Sequence, residues 1–219
     1  MSSNATASSP PVGSQSHNTA VEPNASPAAW VIGGCAATAA AAVALAAQGT
    51  GQTGIAMAVA WAARVAFVFF WLAYAGRAVS VLFGPTFRFM ANRGRAFGLA
   101  FAAALLVHLA LVAMLFEISP QRPIGAAGIA YFGIGALWVY SLALYSIGRI
   151  RRTMSPLLWR VFSNAGLEYV ALLFFLDFVV NPLREGVTHT IEYAPFSVLI
   201  IAGSLLRWTA LARGWRAPV

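Results

Sequence analysis

Six stretches of almost unbroken apolar sequence, separated by short polar gaps, organise this 219-residue chain. They run over Ala28–Gln48, Ile55–Ala75 with an extension toward Phe83, Phe97–Phe116, Ile124–Ile147, Phe162–Val180 and Ala194–Leu211. Each holds about 20 residues, the length with which a helix crosses a hydrocarbon core of about 30 Å. Lipid offers the backbone no hydrogen-bonding partner, so a spanning stretch has to satisfy its N–H and C=O groups internally. The pattern therefore predicts an all-α fold, a six-helix integral membrane bundle. Residues 1–27, rich in Ser, Asn, Ala and Pro, are expected to form a disordered cytoplasmic tail. Residues 28–213 form the six-transmembrane-helix domain, and 214–219 a short cytoplasmic C-terminal end.

Composition agrees with the pattern. The chain is 60% apolar and 9% charged, with a mean hydropathy of +0.74, which no soluble domain of this length shows. A formal charge of +8 would suit a nucleic-acid partner. However, the Arg lie scattered beside the apolar stretches and form no compact basic domain, so the expected partner is the lipid bilayer and not nucleic acid. Cys35 is the sole cysteine and excludes an intrachain disulfide. Ile32-Gly33-Gly34-Cys35 has the look of a lipid-attachment box, but the hydrophobic run follows the Cys where such a box needs it to precede.

The arginines give the orientation. Arg77, Arg88, Arg93 and Arg95 follow the second stretch. Arg149, Arg151, Arg152 and Arg160 follow the fourth, and Arg207, Arg213 and Arg216 close the chain. The first gap carries no charge, the third pairs Glu117 with Arg122, and the fifth sets Arg184 against Glu185 and Glu192. Basic residues gather on the cytoplasmic side of a membrane protein. Both termini are therefore expected in the cytoplasm and the protein in the inner (plasma) membrane.

Within the third stretch, Arg95-Ala-Phe-Gly98 leads through an apolar run to His108. This segment, the Arg-rich inner loop before it and the six-span layout resemble the ferric reductase-like transmembrane domain. The resemblance is closest to the haem-binding membrane subunits of periplasmic methionine sulfoxide reductase systems, and it covers roughly Trp61–Val180. It implies haem b as cofactor, His108 as a haem ligand, electron transfer as the activity and a membrane or periplasmic redox partner. The fifth stretch departs from the family. Where the family places two His thirteen residues apart, this chain has Asn164 and Asp177. Its other histidines are His17 in the tail and His189 in the fifth gap. Bis-histidine ligation is thus not available, and Met57, Met114 and Asp177 are the remaining candidates for a second axial ligand.

Four ionisable residues fall at lipid depth: Arg64, His108, Glu168 and Asp177. A charge at a helix centre costs about 2.5–3.5 kcal/mol on the insertion scale, so such residues turn inward and pair. At about 1.5 Å per residue, His108 stands roughly 17 Å and Asp177 roughly 22 Å from the inner ends of their stretches. Arg64 falls at a similar depth, which predicts an Arg64–His108–Asp177 cluster. Glu168, roughly 9 Å deep, needs another partner or the inner water interface. Asp177→Ala is accordingly expected to destabilise more than Glu168→Ala. The same cluster serves a structural pin joining three helices or a site that carries a proton or a small anion.

Three readings of function follow. The first is a haem-poor or haem-free descendant of the resembled domain, acting as a membrane subunit or scaffold. A haem b electron-transfer protein is the second, and a small proton-coupled transporter the third. The small-residue runs of the first and fourth stretches read as packing seams, and no nucleotide loop or metal-spaced Cys/His cluster is present.

Overall fold

A computed structural model describes residues 27–120, 124–146 and 154–214. The expectations for the N-terminal tail, His17 and residues 215–219 lie outside these. Every long element is helical: α1 (Pro27–Gln48), α2 (Gln52–Phe83), α3 (Arg88–Asn92), α4 (Gly94–Ile118), α5 (Ala126–Tyr145), α6 (Pro156–Phe175), α7 (Asn181–Glu185) and α8 (Val187–Ala212). A π-helical turn, Leu176–Val180, joins α6 to α7, so that Pro156–Arg184 forms one continuous span. Among the described residues six helices are long and apolar enough to cross a membrane, and the chain is a multi-pass membrane protein. Its outer surface fits lipid, since Val43, Leu137, Val161 and Ile191 are each at least 58% exposed. In water such an apolar surface would demand a partner.

The span ends differ from the expected ones for local reasons. The 32 residues of α2 extend about 48 Å at about 1.5 Å per residue, more than a bilayer core, so this helix tilts or protrudes. It stops at Gly84, whose φ of +93° suits glycine, with Pro85 following. The fifth span begins at Pro156 and not at Phe162. Ser155 caps it by accepting from the Leu158 N–H at 3.3 Å, and proline is favoured at the first helical position. The last span begins at Val187, which carries Glu192 inside the helix.

Helices α1, α2 and α4 form the closest-packed unit, and small residues are the cause. The buried face of α1 is Ala29, Gly33, Ala37, Ala41 and Ala44, one small residue per turn, as close packing in lipid favours. A Cβ at Gly33 would overlap the Ala100 backbone on α4, while one at Gly34 would meet nothing. The seam between α5 and α6 works similarly. Gly135 accommodates Leu173, and Gly166 accommodates Trp138 and Leu142.

α8 packs along α2, and both run in the same direction. Arg64 pairs with Glu192, Trp71 Nε1 donates to the Leu199 carbonyl at 2.7 Å, and Arg207 Nη1 donates to the Tyr74 carbonyl at 3.3 Å. Trp71 reaches α8 because Gly203 lacks a Cβ that would obstruct its indole. Contacts that advance together along both chains define parallel helices, as the second and sixth spans of a six-span protein must be.

Candidate functional site

Among the described residues, two of the bundle's cavities lie one toward each end. The first, of about 590 Å³, is lined by the early part of α2, the late part of α4, the early part of α5 and the late part of α6. The second, of about 470 Å³, takes the opposite halves of the same helices and includes Arg77, Arg95 and Arg207. Phe101, Val139 and Val170 line both, so a single layer of side chains separates them. Phe70 completes that layer, with its ring 5.3 Å from that of Phe101 and 5.0 Å from that of Phe174. Edge-on and tilted contacts between such rings add cohesion beyond their buried area.

The first cavity is lined by both His108 and Asp177, together with Asn181 and Tyr193. His108 Nδ1 lies 3.1 Å from the Val59 carbonyl oxygen. A carbonyl only accepts, so this contact places the proton on Nδ1 and leaves Nε2 as the other ring nitrogen. Asp177 is set by the π turn. Asn181 N–H bonds to the Leu176 carbonyl, five residues back, and Pro182 has no N–H to return to Phe178. The Phe178 carbonyl instead accepts from Ser197 Oγ of α8 at 2.5 Å.

Arg64 and Glu168 stand elsewhere, so the four predicted residues do not form one cluster. Arg64 is 8% exposed and its guanidinium pairs with Glu192. It also lies 4.9 Å from the Tyr193 ring centre, 5.1 Å from Trp61 and 5.7 Å from Phe196, distances at which cations and ring faces attract. The earlier start of α8 is what supplies Glu192 at this level. Tyr193 stands between Arg64 and the cavity.

Glu168 belongs to the opposite end. Its Oε1 accepts from Arg207 Nε at 2.8 Å and its Oε2 from the Tyr74 hydroxyl at 3.0 Å. Arg207 Nη2 also donates to Asn164 Oδ1 at 2.7 Å. Arg207 is 4% exposed, although its place near the chain end suggests a surface charge. The sequence does carry a signal, because Leu205-Leu206-Arg207-Trp208 sets the Arg within an apolar run. Asn164 is thus a partner of Arg207.

The residues present can be tested for haem. His108 is held as haem-ligating histidines are held, with its second nitrogen on a backbone carbonyl. Among the described residues no other His, Met or Cys lines the first cavity, nor does any Arg that would meet haem propionates. Met57 and Met114 are off its wall and 36% and 50% exposed. Among the described residues no group of three metal-ligating side chains forms. Of the three expected candidates for a second ligand, Asp177 is the one that lines this cavity with His108. Comparison with protein-family models, curated proteins and solved structures finds no match.

Proposed function

We propose that this protein is a haem-free multi-pass subunit of the inner membrane, built on the ferric reductase-like layout, with both termini in the cytoplasm. The observation that carries the reading is the disposition of the interior charges. Arg64 is paired with Glu192 and Arg207 with Glu168, each across a helix boundary, and one histidine reaches the cavity wall. Charges in such pairs hold helices in register. The Arg-rich segment Arg88–Arg95 and the buried Arg207 sit at one end of the bundle, which supports a cytoplasmic position for that end.

The test is the haem content of protein purified from cells supplied with a haem precursor. The expected result is far less than one haem per chain. One haem per chain, lost on His108→Ala, would replace this reading with the haem b electron-transfer protein. A reporter fused after Val219 should be active in the cytoplasm alone, and activity confined to the outer face would overturn the orientation.

A further inference from the structure

The second cavity, at the Arg-rich end, has a basic mouth. Arg77, from the late part of α2, and Arg95, from the first turn of α4, line it and are both exposed. Arg207 lines it too, but its guanidinium is already matched by Glu168, Asn164 and the Tyr74 carbonyl. Arg95 donates through Nε to Ser146 Oγ at 2.9 Å and through Nη2 to the Ser146 carbonyl. Those partners hold the guanidinium toward the end of α5 without neutralising it. Among the described residues no carboxylate lines this cavity, and neither Arg77 nor Arg95 forms an ion pair.

The start of α4 adds to this charge. The first-turn N–H groups of a helix have no acceptor within it, and no side chain caps them here. Such an end stabilises an anion. A Cβ on Gly94 or Gly98, both on the cavity wall, would meet nothing, which leaves the α4 backbone open to approach. Deeper in, the wall turns apolar. Leu99, Leu142 and Leu167 line it, and Phe101, Val139 and Val170 close it. Arg95 and Phe101 are six residues apart on one helix, about 9 Å along its axis. The volume of about 470 Å³ falls in the range of sites that enclose organic molecules, roughly 300–1,000 Å³.

From this arrangement we propose that the second cavity binds an anionic phospholipid of the adjoining leaflet. Its phosphate meets Arg77 and Arg95, and the start of one acyl chain lies on the apolar floor. The order of layers is that of a lipid in its leaflet, with the head at the helix ends and the chain toward the middle of the bundle. Basic pockets between membrane helices recognise anionic headgroups in this way. A free phosphate satisfies the mouth and leaves the floor empty. A zwitterionic lipid fills the floor but brings its own cation to a basic mouth. The choice of the cytoplasmic leaflet rests on the orientation proposed above, whereas the binding itself does not.

The test uses the full chain purified in a non-ionic detergent, with retained lipid counted by native mass spectrometry. Dioleoyl phosphatidylglycerol is compared with dioleoyl phosphatidylcholine, which has the same chains and an added cationic group. One phosphatidylglycerol should be retained per chain, at least about tenfold more tightly than phosphatidylcholine. Arg77→Gln and Arg95→Gln should each weaken retention about fivefold, the worth of one basic residue beside anionic lipid. Gly98→Leu, whose Cβ meets no other atom, should weaken it at least as much by filling the cavity. Arg213→Gln, exposed at the same end and absent from this wall, should leave it unchanged. Equal retention of the two lipids, equal losses from Arg213→Gln and Arg77→Gln, or full retention in Gly98→Leu would overturn the site. Inorganic phosphate that displaces phosphatidylglycerol at matched concentration would replace the lipid with a free anion and overturn the proposal. Each of these failures leaves the haem-free reading intact, since His108 lines the other cavity.

Discussion

Arg207 on α8 donates through Nε to Glu168 on α6 at 2.8 Å. This is the best-satisfied charged contact in the bundle. Nη2 bonds Asn164, Nη1 bonds the Tyr74 carbonyl, and the Tyr74 ring lies 4.8 Å beneath the guanidinium. An ion in a poorly solvated interior is tolerable only when its donors are matched in this way. The contact unites α2, α6 and α8 at one end of the molecule, as Arg64–Glu192 unites α2 and α8 at the other.

Removing one partner of a buried pair leaves the other uncompensated, a loss of about 3–5 kcal/mol where both are fully buried. Glu168 is 38% exposed on its side chain, which moderates the figure toward the lower end. Glu168→Ala should therefore destabilise the protein more than Asp177→Ala, the reverse of the order expected from depth alone. Unfolding in graded SDS measures the two. A smaller loss for Glu168→Ala would show that Arg207 is not held by this carboxylate.

The α1–α4 contact gives a paired prediction. Gly33 and Gly34 are neighbours in one helix, so valine costs them the same helical propensity. A Cβ meets the Ala100 backbone at the first and open space at the second. Gly33→Val should lower stability by about 1–3 kcal/mol or more, the scale of an overpacking change, while Gly34→Val stays near wild type. Thermal melts in one detergent compare them, and equal losses would contradict the packing.

The π turn predicts a coupling. Ser197→Ala should cost about 1 kcal/mol, in the range of hydrogen bonds between membrane helices, because the Phe178 carbonyl loses its donor. Pro182→Ala restores a backbone N–H at that carbonyl's helical partner position. The double variant should then lose less than the sum of the two single changes, a non-additivity that a double-mutant cycle reads. Strict additivity would mean that Pro182 does not create the need for Ser197.

Much of the architecture was legible in the sequence because lipid imposes one rule on every span. Six apolar stretches had to be six helices, although the apolar run alone puts the start of the fifth at Phe162, past its Ser155-Pro156 cap. The interior pairing was less legible. Depth along separate helices puts Arg64, His108 and Asp177 at one level, and His108 and Asp177 line the same cavity. It gives Arg64 to Glu192 because α8 starts seven residues before its apolar core, at Val187. Arg207 groups in the sequence with the other C-terminal arginines, since hydropathy cannot tell an interfacial Arg from one whose partner lies on another helix. Partner choice depends on which helices are neighbours and on their rotation, and neither is encoded in the period of any one span.

The central claim is that this bundle is held together by protein ion pairs without haem. The most direct measurement is the dithionite-reduced minus oxidised difference spectrum of membranes carrying the wild-type protein, set against membranes carrying His108→Ala. The account predicts that the two spectra superimpose, with no cytochrome band that follows the expressed protein. A b-type band in the wild type that disappears in His108→Ala would contradict it.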